Sequence, residues 1–235
     1  MRLSSLMSAV TLAFAVLLAS HAVALNVSPA ELQKACDGGD AGACAKLGIA
    51  YQRGDGVERS GAKAALLYQK ACDGGNTEGC ASLGFMYSTG EGVTKDEVKG
   101  DQLYQKACDG GDAWGCYNLG IMYLIGVGVP TDGAKSIQFY QKAAQLYRKA
   151  CDGGNALACG TLGQMYDNGG EGVAMDAAKA AALYQRACDG GEARHCNFLA
   201  GMYDTGKGVT KDAVRAVQLY QKACDGGFAA ACGKK

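Results

Sequence analysis

The cysteines of this chain form six pairs, and the two members of every pair are eight positions apart. The first cysteines of successive pairs are separated by 36, 36, 43, 37 and 36 residues. A period in this range is typical of repeats built from two helices each. The sequence therefore predicts an array of repeats rather than one or two globular domains. The pairs are Cys36 and Cys44, Cys72 and Cys80, Cys108 and Cys116, Cys151 and Cys159, Cys188 and Cys196, and Cys224 and Cys232.

The N-terminal segment has the features of a secretory signal peptide. Met1 and Arg2 give a basic start, residues 6–19 form an almost continuous apolar run, and residues 22–24 form a small-x-small cleavage site. This run is too short to cross a bilayer, which requires about 20 apolar residues. We therefore predict a signal peptide at 1–24 and a secreted or periplasmic protein with no membrane span.

Each cysteine pair is expected to form a disulfide, because an even number of regularly spaced cysteines in an exported chain predicts a disulfide framework. A structural zinc site is the competing interpretation of a cysteine-rich chain. The spacing argues against zinc, since the chain has no C-x-x-C motif and His195 is its only histidine after the signal peptide. We expect no metal and no cofactor. His195 is expected at the surface or at a helix start.

The spacing within each pair also predicts where helices end. Positions eight apart on one continuous helix are separated by about 12 Å, whereas a disulfide tolerates about 7 Å between its Cα atoms. Every first cysteine is followed by Asp-Gly-Gly, and glycine readily adopts the left-handed conformation that ends helices. Each disulfide should therefore join the end of one helix to the start of the next.

Each repeat is predicted to contain two helices. Helix A follows the second cysteine of a pair, and a Gly-x-Gly-Val turn separates it from helix B. Helix B begins at a residue whose side chain can accept hydrogen bonds from the amides of the first turn. These capping residues are Ser60, Asp96, Asp132, Asp176 and Asp212.

The predicted fold class is all-α, an α/α superhelical solenoid of about five helix-turn-helix repeats stapled by the disulfides. An N-terminal capping helix is expected at 25–36 and the solenoid at 37–235. The third repeat is longer because residues 140–143 (YQKA) are echoed at 147–150 (YRKA), which adds two helical turns. The repeats are placed at about 40–75, 76–111, 112–154, 155–191 and 192–227, with a short half repeat at 228–235.

Comparison of the repeats with one another separates the two faces of helix A. Positions three, four, six and seven after the second cysteine are nearly fixed as Leu, Gly, an apolar residue and Tyr, and they cluster on one side of a helix. Positions one, two and five vary and lie on the other side, so they are candidates for ligand binding. The candidates are Lys46, Phe85, Tyr117, Asn118, Gln164, Asn197 and Phe198, with Trp114 just before the third helix A.

The pattern Leu-Gly-x-x-Tyr at 47–51, 83–87, 119–123 and 162–166, with the glycine turn and the later Tyr-x-Lys-Ala, resembles the Sel1-like repeat, a relative of the tetratricopeptide repeat. The cysteine pairs are similar to those of the exported helicobacter cysteine-rich proteins. This resemblance implies a superhelix whose inner, concave side is lined by helix A. It also implies two classes of function. One is binding of penicillin-type compounds with weak β-lactamase activity, and the other is an adaptor for proteins or peptides.

A serine β-lactamase requires a nucleophile beside a base, usually within the motif S-x-x-K. The chain contains one such motif, which makes Ser60 and Lys63 the catalytic candidates. The motifs S-D-N and K-T-G are absent. Because Ser60 also aligns with the capping aspartates of the other repeats, we favour the capping role over the catalytic one.

The function predicted from these observations is an exported repeat scaffold. Its concave face is expected to bind a peptide, a peptidoglycan-type (cell-wall-derived, penicillin-like) ligand or a protein partner, and a β-lactamase that hydrolyses β-lactam antibiotics is the alternative. The 23 basic and 23 acidic residues are balanced and form no polybasic run, so we expect no nucleic-acid partner. We expect the protein to be a monomer.

Overall fold

The computed structural model describes residues 27–169 and 172–234. The predicted signal peptide lies outside the described residues. Among the described residues no β-strand is present, and no helix is long and apolar enough to cross a membrane. The helices are α1 (Pro29–Asp37), α2 (Ala41–Arg53), α3 (Gly61–Asp73), α4 (Thr77–Thr89), α5 (Glu97–Asp109), α6 (Ala113–Ile125), α7 (Gly133–Asp152), α8 (Ala156–Asn168), α9 (Ala177–Asp189), α10 (Ala193–Thr205) and α11 (Ala213–Asp225), followed by one 3-10 turn, Ala229–Ala231.

The helices form five antiparallel pairs that stack in chain order. In each pair, an A helix (α2, α4, α6, α8 or α10) packs against the B helix that follows it (α3, α5, α7, α9 or α11). Each B helix then packs against the A helix of the next repeat. Helix α1 precedes the first pair, and the 3-10 turn packs against α11. The predicted all-α solenoid of helix-turn-helix repeats is confirmed.

All six predicted disulfides are present within their pairs, with Cα–Cα distances of 4.5 to 4.9 Å. A helix does end inside every pair, and the second glycine of each Gly-Gly turn has a positive φ, as at Gly39 and Gly75. The expected start of helix A needs a correction. Each A helix begins three residues before its second cysteine, because the residue ahead of it, such as Asp40, caps the helix.

The five predicted caps of the B helices are confirmed. Asp96 Oδ1 accepts a hydrogen bond from the Lys99 amide at 3.0 Å, and the other B helices repeat this arrangement. In the first repeat the Ser60 side chain accepts from the Lys63 amide at 3.4 Å. The capping side chain therefore satisfies an amide that has no partner within the helix.

A glycine in the middle of four A helices permits close packing within a repeat, whereas α10 has Ala200 at this position. A Cβ added to Gly48 would lie 2.7 Å from the ring of Tyr68, and one added to Gly163 would lie 2.8 Å from the ring of Tyr184. Tyr68 and Tyr184 are 1% exposed, so their rings fill the space that these glycines leave. The fixed face of helix A is therefore a packing face.

His195 is not at the surface. It lies in the first turn of α10, which agrees with the predicted helix start, but it is buried. A Cβ on Gly160 of the preceding A helix would lie 2.5 Å from Nδ1 of His195, so the imidazole occupies the space beside this glycine. Its ring also stacks on Tyr184. Burial lowers the pKa of His195, which makes it a neutral core residue at pH 7.

Helix α7 has 20 residues, whereas every other B helix has 13. The first copy of the duplicated segment keeps the contacts of an ordinary repeat. The ring of Tyr140 lies against Gly120, and Lys142 pairs with Asp109 of the preceding repeat at 3.4 Å. Residues 146–152 then extend two turns further, by about 10 Å at 1.5 Å per residue. The fourth and fifth repeats are stacked on this extension.

Asp101 is the least compatible residue in the core. It occupies the position of Ala65 and Ala181 in other B helices, it is 4% exposed, and neither carboxylate oxygen has a hydrogen-bond partner among the described residues. Its carboxylate lies under the turn that contains Gly128. Burial, and to a smaller extent the charge of Glu97, raises the pKa of Asp101 to about 6.

We expect the Asp101→Ala variant to be more stable than the wild type at pH 7.5 by about 3 kcal/mol. The folded state binds the Asp101 proton more tightly than the unfolded state, so the carboxyl costs stability as pH rises from about 4 through 6. The gain should therefore shrink towards pH 4. Urea unfolding at pH 4.0, 5.5 and 7.5 measures it. An equal gain at all three values would contradict the titration of Asp101.

Candidate binding groove

A continuous groove of about 1360 Å³ runs across the A helices of the first four repeats. Helices α2, α4, α6 and α8 supply most of its wall, and the extended helix α7 supplies part of its floor. This is the surface that the resemblance to Sel1-like repeats predicted for helix A. We call it the A-helix groove.

The middle of the A-helix groove is apolar. Trp114 of α6 is 37% exposed and Leu157 of α8 is 57% exposed. Tyr117 lies one turn after Trp114, and Leu146 and Tyr147 of α7 lie between these two A helices. We call these five residues the apolar centre.

The two turns that are unique to α7 create the floor of the apolar centre. Leu146, Tyr147 and Ala150 all lie on residues 146–152, which the other B helices lack, and all three line the groove. In the ordinary repeats a B helix of 13 residues and a short turn precede the next A helix. The extension instead moves α8 along the helix axis relative to α6, so the side of α7 faces the groove. Burial raises the pKa of Tyr147, so its hydroxyl is not ionised at pH 7.

The charged residues of the groove lie towards its N-terminal end. Arg53 ends α2, Glu78 lies in the first turn of α4, and Asp112 caps α6. Asp112 Oδ1 accepts a hydrogen bond from the Gly115 amide at 2.7 Å. Burial is the main influence on Asp112 and raises its pKa.

The structure brings some of the predicted ligand-binding residues together. Tyr117 and Gln164 line the A-helix groove. The ring of Phe85 packs against Trp114 with centroids 5.7 Å apart, and Asn118 Nδ2 donates a hydrogen bond to the Trp114 carbonyl at 2.8 Å. Phe85 therefore packs against the Trp114 ring, Asn118 bonds to the backbone of its own helix, and neither residue lines the groove.

The remaining candidates lie away from this centre. Lys46 is exposed on α2 and is not part of the groove lining. Asn197 Oδ1 accepts a hydrogen bond from Lys234 Nζ at 3.1 Å. Phe198 packs against Tyr184 and His195, so it belongs to the core of the fifth repeat.

Sequence comparison of the repeats missed three groove residues. Leu157 lies two residues before Cys159, where no helix was predicted from the sequence, so this large apolar residue was not considered. Leu146 and Tyr147 belong to the duplication, whose effect on the groove depends on how the repeats stack. The duplication itself was the available signal for both.

Ser60 and Lys63 do not line the A-helix groove, and both make contacts that stabilise their own repeat. Ser60 caps α3, and Lys63 Nζ lies 5.1 Å from the centre of the Tyr51 ring. The same cation–π contact between helix B and helix A recurs in the other repeats. It joins Lys99 to Tyr87, Lys135 to Tyr123, Lys179 to Tyr166 and Arg215 to Tyr203.

The model of the Sel1 repeat matches residues 41–76, 77–112, 115–146, 142–155, 156–192 and 196–228, which together make up most of the chain. The chain belongs to the Sel1 repeat family. The resemblance read from the Leu-Gly-x-x-Tyr pattern is confirmed, and the cysteine pairs add one disulfide to each Sel1 repeat junction. Stacked helical repeats of this kind present extended concave surfaces, and Sel1 repeats form a scaffold for protein interaction.

Several solved structures are similar to this chain. The Sel1 repeat protein from Oxalobacter formigenes is 28% identical over 82% of this chain and 73% of its own, with a TM-score of 0.57. Immunity protein Pa5087 from Pseudomonas aeruginosa is 27% identical over 81% of this chain and 67% of its own, with a TM-score of 0.56. Cysteine-rich protein B from Helicobacter pylori is 32% identical over 60% of this chain and 97% of its own, with a TM-score of 0.38. No curated protein sequence matches the chain.

Proposed function

We propose that this protein is an exported scaffold that binds an extended polypeptide segment of a partner in the A-helix groove. The observation that carries the proposal is the apolar centre, where Trp114 and Leu157 are exposed inside a concave surface. Exposed apolar residues that lie together in a concavity mark interaction sites. Six disulfides support a location in the periplasm or outside the cell.

The size of the groove favours a peptide over a small molecule. Its volume of about 1360 Å³ is larger than the roughly 300–1,000 Å³ of ordinary ligand pockets. It also runs across four repeats rather than closing around one point. An extended peptide, which advances about 3.3 Å per residue, suits a long open surface of this kind. A cell-wall-derived peptide such as muramyl dipeptide is a shorter ligand for the same surface.

No observation on the described residues favours the alternative of β-lactam hydrolysis. The hydroxyl of Ser60 accepts the amide of a first helical turn, and Lys63 lies over an aromatic ring. Both side chains therefore have the roles that their equivalents have in the other repeats.

Trp114 provides a direct test of binding because it is the only tryptophan in the chain. Peptides would be selected on the oxidised mature protein from a phage-displayed library of random dodecapeptides and then synthesised. Titration with a selected peptide should change the emission of Trp114 in a saturable way. Muramyl dipeptide, tested in the same assay, would distinguish a cell-wall ligand from a protein segment.

We expect Leu157→Asp to weaken binding of the selected peptide at least tenfold, because it places a carboxylate in the apolar centre. The matched control is Leu66→Asp, since Leu66 is 70% exposed on a B helix and is not part of the groove lining. The control should bind as the wild type does. Equal loss in the two variants, or a library that yields no peptide above background, would contradict the proposal.

A further inference from the structure

The second residue of each A helix differs strongly between the repeats, although its place in the fold is the same. In chain order these residues are Gly42, Glu78, Trp114, Leu157 and Arg194. The middle three line the A-helix groove. Because equivalent positions of successive repeats form a row along a solenoid, Arg194 continues the row beyond Leu157.

Local helix stability does not explain Arg194. It lies in the first turn of α10, where the helix dipole disfavours a cation. It is exposed, and it takes part in none of the ion pairs found among residues 27–169 and 172–234. Glu78, in contrast, is an anion in a first helical turn, where the dipole favours it. Arg194 is therefore the member of the row that its own helix does not account for.

A second cation lies near the same end of the row. Lys234 Nζ donates a hydrogen bond to Asn197, which is three residues after Arg194 and thus one turn along α10. The C-terminal end of the row has two cations, Arg194 and Lys234, beside the acidic Glu192 that precedes α10, whereas the middle is apolar. This order of side chains is complementary to a segment with an apolar residue followed by an acidic one.

We infer that the partner segment inserts a large apolar side chain into the apolar centre and pairs an acidic side chain with Arg194. This inference rests on the proposed function and specifies the chemistry of the partner. Helices α8 and α10 both pack against α9. We take the distance from Leu157 to Arg194 to be one helix diameter, roughly 10–12 Å, and an extended chain advances about 3.3 Å per residue. The acidic residue is therefore expected about three positions from the apolar one.

The test is a comparison of three selections from the random dodecapeptide library. Wild-type protein should enrich peptides with a large apolar residue and Asp or Glu about three positions away. The Arg194→Glu variant should enrich Lys or Arg at that acidic position. Lys211→Glu, the matched control, makes the same charge change at an exposed residue of the turn before α11 and should enrich the wild-type pattern.

A synthetic peptide from the wild-type selection makes the test quantitative. Its dissociation constant, followed by Trp114 emission, should rise at least tenfold with Arg194→Glu and remain unchanged with Lys211→Glu. Replacing the acidic residue of the peptide with Lys should restore binding to Arg194→Glu. Peptides that bind in the groove but show no acidic position, or the same pattern from wild type and Arg194→Glu, would overturn the inference and leave the proposed function standing. A selection that enriches no peptide would overturn both.

Discussion

We expect the Gly92→Ala variant to lose about 3 kcal/mol or more of its free energy of unfolding. Gly92 lies in the turn between α4 and α5 with φ +73°, which costs a residue with a side chain about 1–2 kcal/mol. The added Cβ would also lie 2.6 Å from the Cα of Gly61 in the preceding repeat. The nearest atoms all belong to the backbone of Gly61, so no flexible side chain can move away to relieve the contact. The turn would have to shift relative to the first repeat.

Gly75→Ala separates the two causes. Gly75 has φ +86°, but a Cβ added to it meets no atom within 4 Å. This control should therefore lose only the backbone cost of about 1 kcal/mol. Urea unfolding of the oxidised proteins, followed by far-UV circular dichroism, measures both losses. Similar losses for Gly92→Ala and Gly75→Ala would show that the contact between repeats contributes little.

Deletion of residues 140–146 should abolish peptide binding while the protein remains folded. The deletion joins Phe139 to Tyr147 and leaves a helix of the ordinary 13 residues, GAKSIQFYRKACD. Tyr147 then takes the place of Tyr140 beside Gly120, and Lys149 takes the place of Lys142. The apolar centre loses its floor, so we expect no saturable binding of a selected peptide even at concentrations more than tenfold above the wild-type dissociation constant.

Three measurements check the deletion. Mass spectrometry should find six intact disulfides, circular dichroism should find an unchanged helical signal per residue, and Trp114 emission should no longer respond to the peptide. Leu146→Asp provides a smaller change at the same floor and should weaken binding without shortening the helix. If the deletion variant binds as the wild type does, the two extra turns of α7 do not form the binding site.

The sequence predicted most of the fold because its signals are local. A disulfide that spans eight positions cannot form along one helix, and the Gly-Gly turn inside each pair supplies the break. Ser60 was correctly assigned as a cap because its equivalents in the other repeats are all aspartate. Such features depend on the chain within one repeat, and six copies of them make the pattern unambiguous.

The features that were not predicted depend on contacts between repeats. His195 is buried because the A helix before it has Gly160 at the facing position. The contact joins two repeats, so the sequence of one repeat does not reveal it. Leu157 was overlooked because the capping residue starts each A helix before the second cysteine. The duplication in the third repeat was evident, but its consequence for Leu146 and Tyr147 follows from the displacement of α8 along α7.

The position of the disulfides has a consequence for how the chain responds to a protease. The Gly-Gly turns, such as those at Gly39 and Gly75, are exposed, and a Cβ added to the second glycine of each turn meets nothing within 4 Å. Exposed turns of small residues are sites that proteases can reach. Every one of them lies between two bonded cysteines. A protease that cleaves such a turn breaks the peptide chain but leaves the two flanking helices covalently joined, so a nicked molecule keeps its repeats together.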